Sequence, residues 1–316
     1  MTDSQSKQTS DMLLKAYIKT MAQSSLTDRD ETNPMEIDLV MSGGAFNGAY
    51  GFGVILYLLE LVEQKKMIIK KVSGCSIGAM AALCVLCKKA TSTFCHNWEL
   101  LKQDIRDNQR MNNVKKLINE YVDECLKDKD LSFLKDKLYI TMTNLKIGQH
   151  IVKSEWSSKE ELKDDLIASC FIPYIVDGNS RYKDEYIDGI QPHIFKDTTR
   201  KCMYVDLHSM HKNRWLKCIC TSQEKNPNQR VLEGVNECCG FLNGEDSYLC
   251  SWTDNWKIWT YGIIRLQFII IYTIAIVIEL LNKINVPDII SENVLYRGIT
   301  STLLKLVQDS FYLVQY

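Results

Sequence analysis

The sequence lacks the features that mark nucleic-acid-binding and secreted proteins. Its 38 lysines and arginines are balanced by 39 aspartates and glutamates, and a formal net charge of −1 gives no basic surface for nucleic acid. The N-terminal stretch up to Pro34 is polar and carries no apolar signal segment. The twelve cysteines are scattered along the chain. These absences predict a reduced chain that faces the cytosol.

The cysteines also lack the spacing of a metal site. Cys84 and Cys87 form a cysteine-x-x-cysteine pair, but they lie in an apolar stretch typical of a core helix. Four later cysteines have spacings that match no recognised zinc finger: Cys218, Cys220, Cys238 and Cys239. We therefore predict neither a metal nor a cofactor.

A glycine-rich segment, "SGGAFNGAYGFG", follows the apolar strand predicted at 37–41 and precedes a predicted helix. It lacks the lysine and hydroxyl residue of a P-loop, and it does not fit glycine-x-glycine-x-x-glycine from Gly43. Backbone amides at a helix N-terminus stabilise developing negative charge. The segment is therefore a candidate oxyanion loop, with tight packing of a helix on a strand as the alternative.

A second strand–turn–helix unit follows at "MIIKKVSGCSIGAMAALCVLCKK". Gly74, Ser76 and Gly78 fit the glycine-x-serine-x-glycine pattern, in which a sharp turn lifts the serine hydroxyl outward. Ser76 is thus a candidate nucleophile, although an ordinary strand-to-helix turn would give the same pattern. Two such units in succession predict an α/β fold with a parallel sheet.

Further motifs occur in "LIASCFIPYIVDGNSRYKDEYIDGIQPHIF", residues 166–195. Taken in order, the glycine loop, the serine elbow, "ASCFIPY" and "YIDG" resemble the patatin-like phospholipase family over roughly residues 36–195. The resemblance implies a three-layer α/β/α fold with a mainly parallel central sheet, and hydrolysis of acyl esters by a serine–aspartate dyad. It maps Ser76 to the nucleophile and Asp188 to the base. It maps three residues to the oxyanion loop: Gly43, Gly44 and Ala45.

The chain departs from the family pattern at three positions. Ala45 stands at the third loop glycine, Asn47 at the usual basic residue, and Ile190 at a small residue after the aspartate–glycine pair. The Ala45 amide belongs to the backbone and is retained, but the lost basic residue would weaken the loop's electrostatics. The alternative to an active enzyme is therefore a catalytically weakened patatin-fold protein that binds or organises lipid at a membrane.

Two other assignments of the proton acceptor stay open on the residues alone. Asp177 also precedes a glycine, and both aspartate–glycine pairs are typical of turns; only the resemblance selects Asp188. A serine–aspartate–histidine triad is the other alternative, since three histidines follow the acid in chain order: His193, His208 and His211.

The C-terminal part contains the most hydrophobic stretch, residues 258–284. Its first 21 residues are enough to cross a hydrocarbon core of about 30 Å as a helix. Arg265 and Gln267 interrupt this stretch, and five residues fall on one narrow helical face: Tyr261, Arg265, Tyr272, Glu279 and Lys283. The helix could span the bilayer, lie at its interface or be buried in the core.

These observations predict five segments. They are a polar N-terminal extension (1–35), a catalytic domain (36–215) with a possible helical cap (92–135), a loop-rich connection (216–257), a membrane helix (258–284) and a tail (285–316). We expect a membrane-associated, single-pass protein whose catalytic domain faces the cytosol. Its expected partners are a phospholipid or other acyl-lipid substrate and a membrane, but no nucleic acid.

Overall fold

The described part of the protein consists of a central sheet flanked by helices. The computed structural model describes residues 3–89, 100–105, 107, 110–127, 129–196, 199–208 and 228–264, with the single residues 266, 269 and 273. The helices are α1 (Asp3–Ser24), α2 (Gly48–Glu63), α3 (Ile77–Cys87), α4 (Val114–Cys125), α5 (Lys159–Ser169) and α6 (Asn228–Leu242). The strands are β1 (Met35–Met41), β2 (Met67–Cys75), β3 (Leu138–Asn144), β4 (Gln149–Lys153), β5 (Tyr186–Asp188), β6 (Lys201–Val205) and β7 (Cys250–Trp252).

The middle of the sheet is parallel and its margins are antiparallel. The strand order is β4-β3-β2-β1-β6-β7, and β5 pairs with β3 outside this path. Strands β1, β2, β3 and β6 run parallel, whereas β4, β5 and β7 are antiparallel to their neighbours. Strand β1 is buried from Ile37 to Met41, as expected for a strand covered on both faces. The predicted α/β class with a mainly parallel central sheet is confirmed.

The register along β3 brings the end of β2 close to the end of β5. Strand β2 pairs with the first half of β3, and its last residue, Cys75, lies opposite Thr141. Strand β4 occupies the other edge of β3, so β5 continues the β2 edge and places Asp188 opposite Met142. The residue that follows β2 and the last residue of β5 are therefore neighbours.

The N-terminal segment is part of the folded body rather than a free extension. Ile18 and Ala22 of α1 are buried in the main core. The Lys66 ammonium donates hydrogen bonds of 2.7 to 2.9 Å to the carbonyls of Ala22, Gln23 and Ser25. These carbonyls lie at the end of α1, where a helix leaves acceptors without intrahelical donors. A single lysine thus anchors the helix to the turn before β2.

The expected loop-rich connection contains two ordered elements of the domain. Helix α6 packs on α2 so closely that a Cβ on Gly53 would lie 2.0 Å from the Val231 carbonyl oxygen, and one on Gly234 would lie 2.1 Å from that of Tyr50. Strand β7 pairs with β6 at the edge of the sheet. The buried residues of α6 recur at helical spacing, but the glycines at 234 and 240 are poor helix formers and obscure the helix in the sequence.

Within the described residues, one helical segment is long and apolar enough to cross a membrane, Ala45–Glu63. It is 72% buried inside the protein over the relevant window, as expected of a core helix. Most of the membrane helix predicted at 258–284 lies outside the described residues. Its described beginning, 258–264, is helical, with Ile258 83% and Trp259 78% exposed. Membrane attachment through this segment stays a prediction.

Candidate active site

Ser76 occupies a sharp turn between β2 and α3. Its backbone has φ 54° and ψ −134°, a conformation that non-glycine residues rarely adopt and that is often found at functional sites. A Cβ on Gly74 would lie 2.1 Å from the Gly78 carbonyl oxygen, and a Cβ on Gly78 would lie 2.4 Å from that of Met41. The two elbow glycines therefore allow α3 to start in direct contact with the ends of β1 and β2.

Asp188 lies beside Ser76 and interacts with its side chain. The Ser76 side chain is close enough to stabilise the ionised Asp188 carboxylate, and the Ile190 amide donates a hydrogen bond of 2.7 Å to Oδ1. Loss of hydration raises the Asp188 pKa from 3.8 to about 6, although both of these interactions oppose the rise. At neutral pH most of the carboxyl is ionised, so it can accept a proton from the serine.

The segment after α5 holds both residues in place. The Ser76 amide donates to Ser169 Oγ at 2.9 Å. The Asp188 amide donates to the Phe171 carbonyl at 2.9 Å, and the Gly189 amide to the Ser169 carbonyl at 3.3 Å. Sequence reasoning found the "ASCFIPY" motif but gave Ser169 no role. The structure shows that this buried serine accepts a hydrogen bond from the peptide group of Ser76 itself.

The glycine-rich loop passes next to the elbow. The Gly43 amide donates to Cys75 Sγ at 3.0 Å. Ala45 starts the 3₁₀ turn Ala45–Asn47 with φ 41°, in the region that favours glycine. Among the described residues, no acceptor is found for the amides of Gly44 and Ala45. Of the three amides predicted for an oxyanion loop, these two are thus available to an anion, while Gly43 is engaged by the thiol.

An apolar cavity of about 90 Å³ opens at Ser76. Side chains of the 3₁₀ turn, α3 and α4 line it, including Phe46, Met80, Leu117 and Ile118. Helix α4 lies within the predicted cap, so part of that segment forms a wall of the cavity. A hydrophobic cavity beside a nucleophile suits an acyl chain.

Of the three candidate histidines, the structure places His208 near Ser76. A Cβ on Gly43 would lie 3.2 Å from Ser76 Cβ and 3.4 Å from His208 Cε1. Burial lowers the His208 pKa to about 4, so the ring is neutral at pH 7. In the described part of the chain, no hydrogen bond joins it to Ser76 or Asp188. His193 instead stacks on Tyr139 at 5.4 Å, and His211 lies outside the described residues.

The second aspartate–glycine pair has a structural environment of its own. Partial burial acts to raise the Asp177 pKa, but the Lys115 ammonium and the Asn179 amide hold it below its usual value. Asp177 therefore stabilises a turn and pairs with a lysine of α4. Cys84 and Cys87 are buried in the main core as predicted, whereas Cys218 and Cys220 fall outside the described residues.

Comparison with known proteins shows which family this part of the chain is similar to. The family model "Patatin-like phospholipase" matches residues 39–190. The chain is 28% identical over 162 residues to the 1-acylglycerol-3-phosphate O-acyltransferase Pnpla3 of Mus musculus, covering 48% of this chain and 38% of that protein. It is 27% identical over 155 residues to the omega-hydroxyceramide transacylase of Mus musculus, covering 47% of this chain and 26% of that protein. The matches therefore span well under half the length of these relatives.

Proposed function

Through residues 39–190 this chain belongs to the patatin-like phospholipase family, a family of lipid acyl hydrolases and acyltransferases, and on that premise we propose that it is a serine hydrolase of lipid acyl esters. The substrate class is a phospholipid or related acyl lipid, cleaved as by a phospholipase A. One observation carries the proposal: Asp188 lies beside the Ser76 side chain and interacts with it, and Ser76 lines an apolar cavity.

The proposed reaction has two stages. As Ser76 Oγ attacks the ester carbonyl carbon, Asp188 accepts the hydroxyl proton, and the amides of Gly44 and Ala45 stabilise the tetrahedral oxyanion. Collapse of this intermediate breaks the ester bond, and Asp188 returns the proton to the departing alcohol. Water then attacks the acyl–Ser76 ester with Asp188 as base, which releases the carboxylic acid and restores the hydroxyl.

The same acyl-enzyme could pass its acyl group to an alcohol in place of water. The names of the relatives are those of an acyltransferase and a transacylase, so transfer to a lipid alcohol is the natural companion reaction. It requires no additional catalytic group, because Asp188 would deprotonate the incoming hydroxyl as it deprotonates water. The ratio of transfer to hydrolysis then depends on whether water or the alcohol reaches the acyl-enzyme.

The main test is acyl release from defined phospholipid vesicles by the purified full chain. Ser76→Ala should abolish release, and Asp188→Asn should reduce it by about 10²- to 10⁴-fold, as expected for loss of a general base. Asp177→Asn provides the matched control, because that aspartate also precedes a glycine but pairs with Lys115. Wild-type hydrolysis by a folded Ser76→Ala protein would exclude the proposed nucleophile.

A second test separates the dyad from the histidine triad. His208→Ala should retain most of the activity, because Asp188 interacts with the Ser76 side chain, whereas His208 forms no hydrogen bond with either residue within the described chain. A loss of about 10⁴-fold in kcat with the fold intact would instead support a triad. Vesicle binding without any Ser76-dependent hydrolysis would favour the weakened lipid-binding protein.

We further propose that residues 258–284 attach the protein to a membrane, with the catalytic domain in the cytosol. The exposed Ile258 and Trp259 at the start of this segment support the proposal, since each buried large apolar side chain contributes about 1.5–3 kcal/mol. Carbonate extraction and protease protection of a C-terminal tag distinguish the arrangements. Release by carbonate excludes a span, and full solubility without lipid or detergent excludes attachment.

A further inference from the structure

Arg230, in the first turn of α6, is buried against the glycine-rich loop. Only 5% of the residue is exposed. Its Nη1 atom lies 3.1 Å from Asn47 Oδ1 and 3.3 Å from the Phe46 carbonyl oxygen. The guanidinium carbon lies 5.5 Å from the centre of the Tyr50 ring. Burial of a charged group is costly unless it is well bonded, so this placement demands compensating contacts.

Asn47 transmits the contact from Arg230 to the loop. This fully buried residue donates its side-chain Nδ2–H to the Leu207 carbonyl at 2.8 Å and its amide to the Gly44 carbonyl at 2.8 Å. The Leu207 amide in turn donates to Ser42 Oγ at 2.7 Å. One series of hydrogen bonds therefore runs from the Arg230 guanidinium through Asn47 to the Gly44 carbonyl. A second runs from Asn47 through Leu207 to Ser42.

We infer that Arg230 is a positioning residue for the oxyanion loop: it fixes the Ala45–Asn47 turn so that the amides of Gly44 and Ala45 stay directed at the Ser76 site. The inference rests on the proposed acyl-transfer chemistry. Ala45 holds a left-handed conformation that costs about 1–3 kcal/mol. The turn needs external contacts to persist, and Arg230 bonds its last two residues.

Charge supports the same role. The guanidinium group of Arg230 brings a positive charge next to the loop. Asn47 stands where the family pattern has a basic residue, and Arg230 brings a cation to the side chain of that same position from a helix far along the chain. Preorganised charge in a water-poor site stabilises a developing anion more than the same charge in water.

The test compares Arg230→Met, Arg230→Gln and Arg230→Lys in the purified full chain. Arg230→Met should lower kcat by about 10- to 100-fold, less than the loss of an oxyanion donor itself, while KM changes less than about twofold. Arg230→Lys keeps the charge and should recover most of the kcat. Arg200→Met is the matched control, because Arg200 is a partly buried arginine that pairs with Asp38 toward the other end of the strands. It should affect stability and leave kcat unchanged.

A fluorophosphonate that reacts with Ser76 provides a second readout, since its phosphonyl oxygen occupies the oxyanion position. Its reaction with Arg230→Met should slow by a factor similar to that in kcat. Wild-type rates in a folded Arg230→Met or Arg230→Gln protein would overturn the inference about Arg230 and leave the proposed function intact. A wild-type protein that neither hydrolyses lipid nor reacts with the probe at Ser76 would overturn the proposed function, and the inference with it.

Discussion

Replacement of Asp188 by asparagine should make the protein more stable while removing its activity. The carboxyl lies in surroundings that disfavour its charged form and raise its pKa to about 6. Asparagine has a similar shape and no charge. Its side-chain oxygen can still accept the hydrogen bond from the Ile190 amide, which is 2.7 Å long in the wild-type protein. The variant therefore removes the cost of a buried charge and keeps the local geometry.

The size and sign of this effect follow from the linkage between protonation and folding. A carboxyl with a pKa of 3.8 in the unfolded chain and about 6 in the folded protein favours folding less as it ionises. The wild-type protein should thus lose up to about 3 kcal/mol of stability as the pH rises from below 4 to above 6. Asp188→Asn escapes this loss, so its advantage in the free energy of unfolding grows by the same amount over that range.

Urea unfolding of both proteins at a series of pH values from 4 to 8 measures the difference directly. Asp177→Asn is the control with the opposite sign, because Lys115 and Asn179 hold the Asp177 pKa below its usual value. The wild-type protein gains stability over that variant mostly below about pH 4, so the difference between these two proteins should stay nearly constant from pH 4 to 8. A stability difference between wild type and Asp188→Asn that stays flat with pH, or that favours the wild type at pH 8, would refute the reasoning.

Three further results are expected from the same geometry. Below pH 6, kcat/KM should fall about tenfold per pH unit as Asp188 becomes protonated, and a flat profile down to pH 4 would contradict its role as base. Gly74→Ala should cost about 3 kcal/mol or more in thermal or urea unfolding, because its Cβ would lie 2.1 Å from the Gly78 oxygen; Gly262→Ala, with open space around the added methyl, should cost nothing. Ser169→Ala leaves the Ser76 amide without its acceptor and should lower the free energy of unfolding by about 1–3 kcal/mol. Equal urea midpoints for this variant and the wild type would contradict the prediction.

The sequence predicted the parts of the fold and site that depend on local patterns. Strands β1 and β2, the helices that follow them and the turn at Ser76 are encoded within a few residues, by apolar runs that end in glycine. Asp188 has no such local code, because an aspartate–glycine pair is typical of any turn. Its assignment came from the resemblance. The register of β3, which brings Asp188 to Ser76, is a long-range property of the sheet.

The residues that sequence reasoning missed act through contacts between distant parts of the chain. Arg230 and Asn47 are 183 positions apart, and Ser169 and Ser76 are 93 apart. No spacing or periodicity links such pairs. The thiol of Cys75 occupies a variable position of the elbow motif, so nothing in the pattern indicated that it would bind the Gly43 amide.

The position of β6 in the sheet bears on how this protein can be divided for experiments. Strand β6 pairs with the whole second part of β1, yet it lies beyond residue 190, where the family match ends. A fragment cut to residues 39–190 would remove the first half of β1, leave the backbone of its remainder open for pairing with other molecules, and strip α6 from α2. The boundaries of the family match therefore differ from those of the unit that folds cooperatively. A truncated protein that precipitates would reveal an exposed strand edge and carry no information about catalysis.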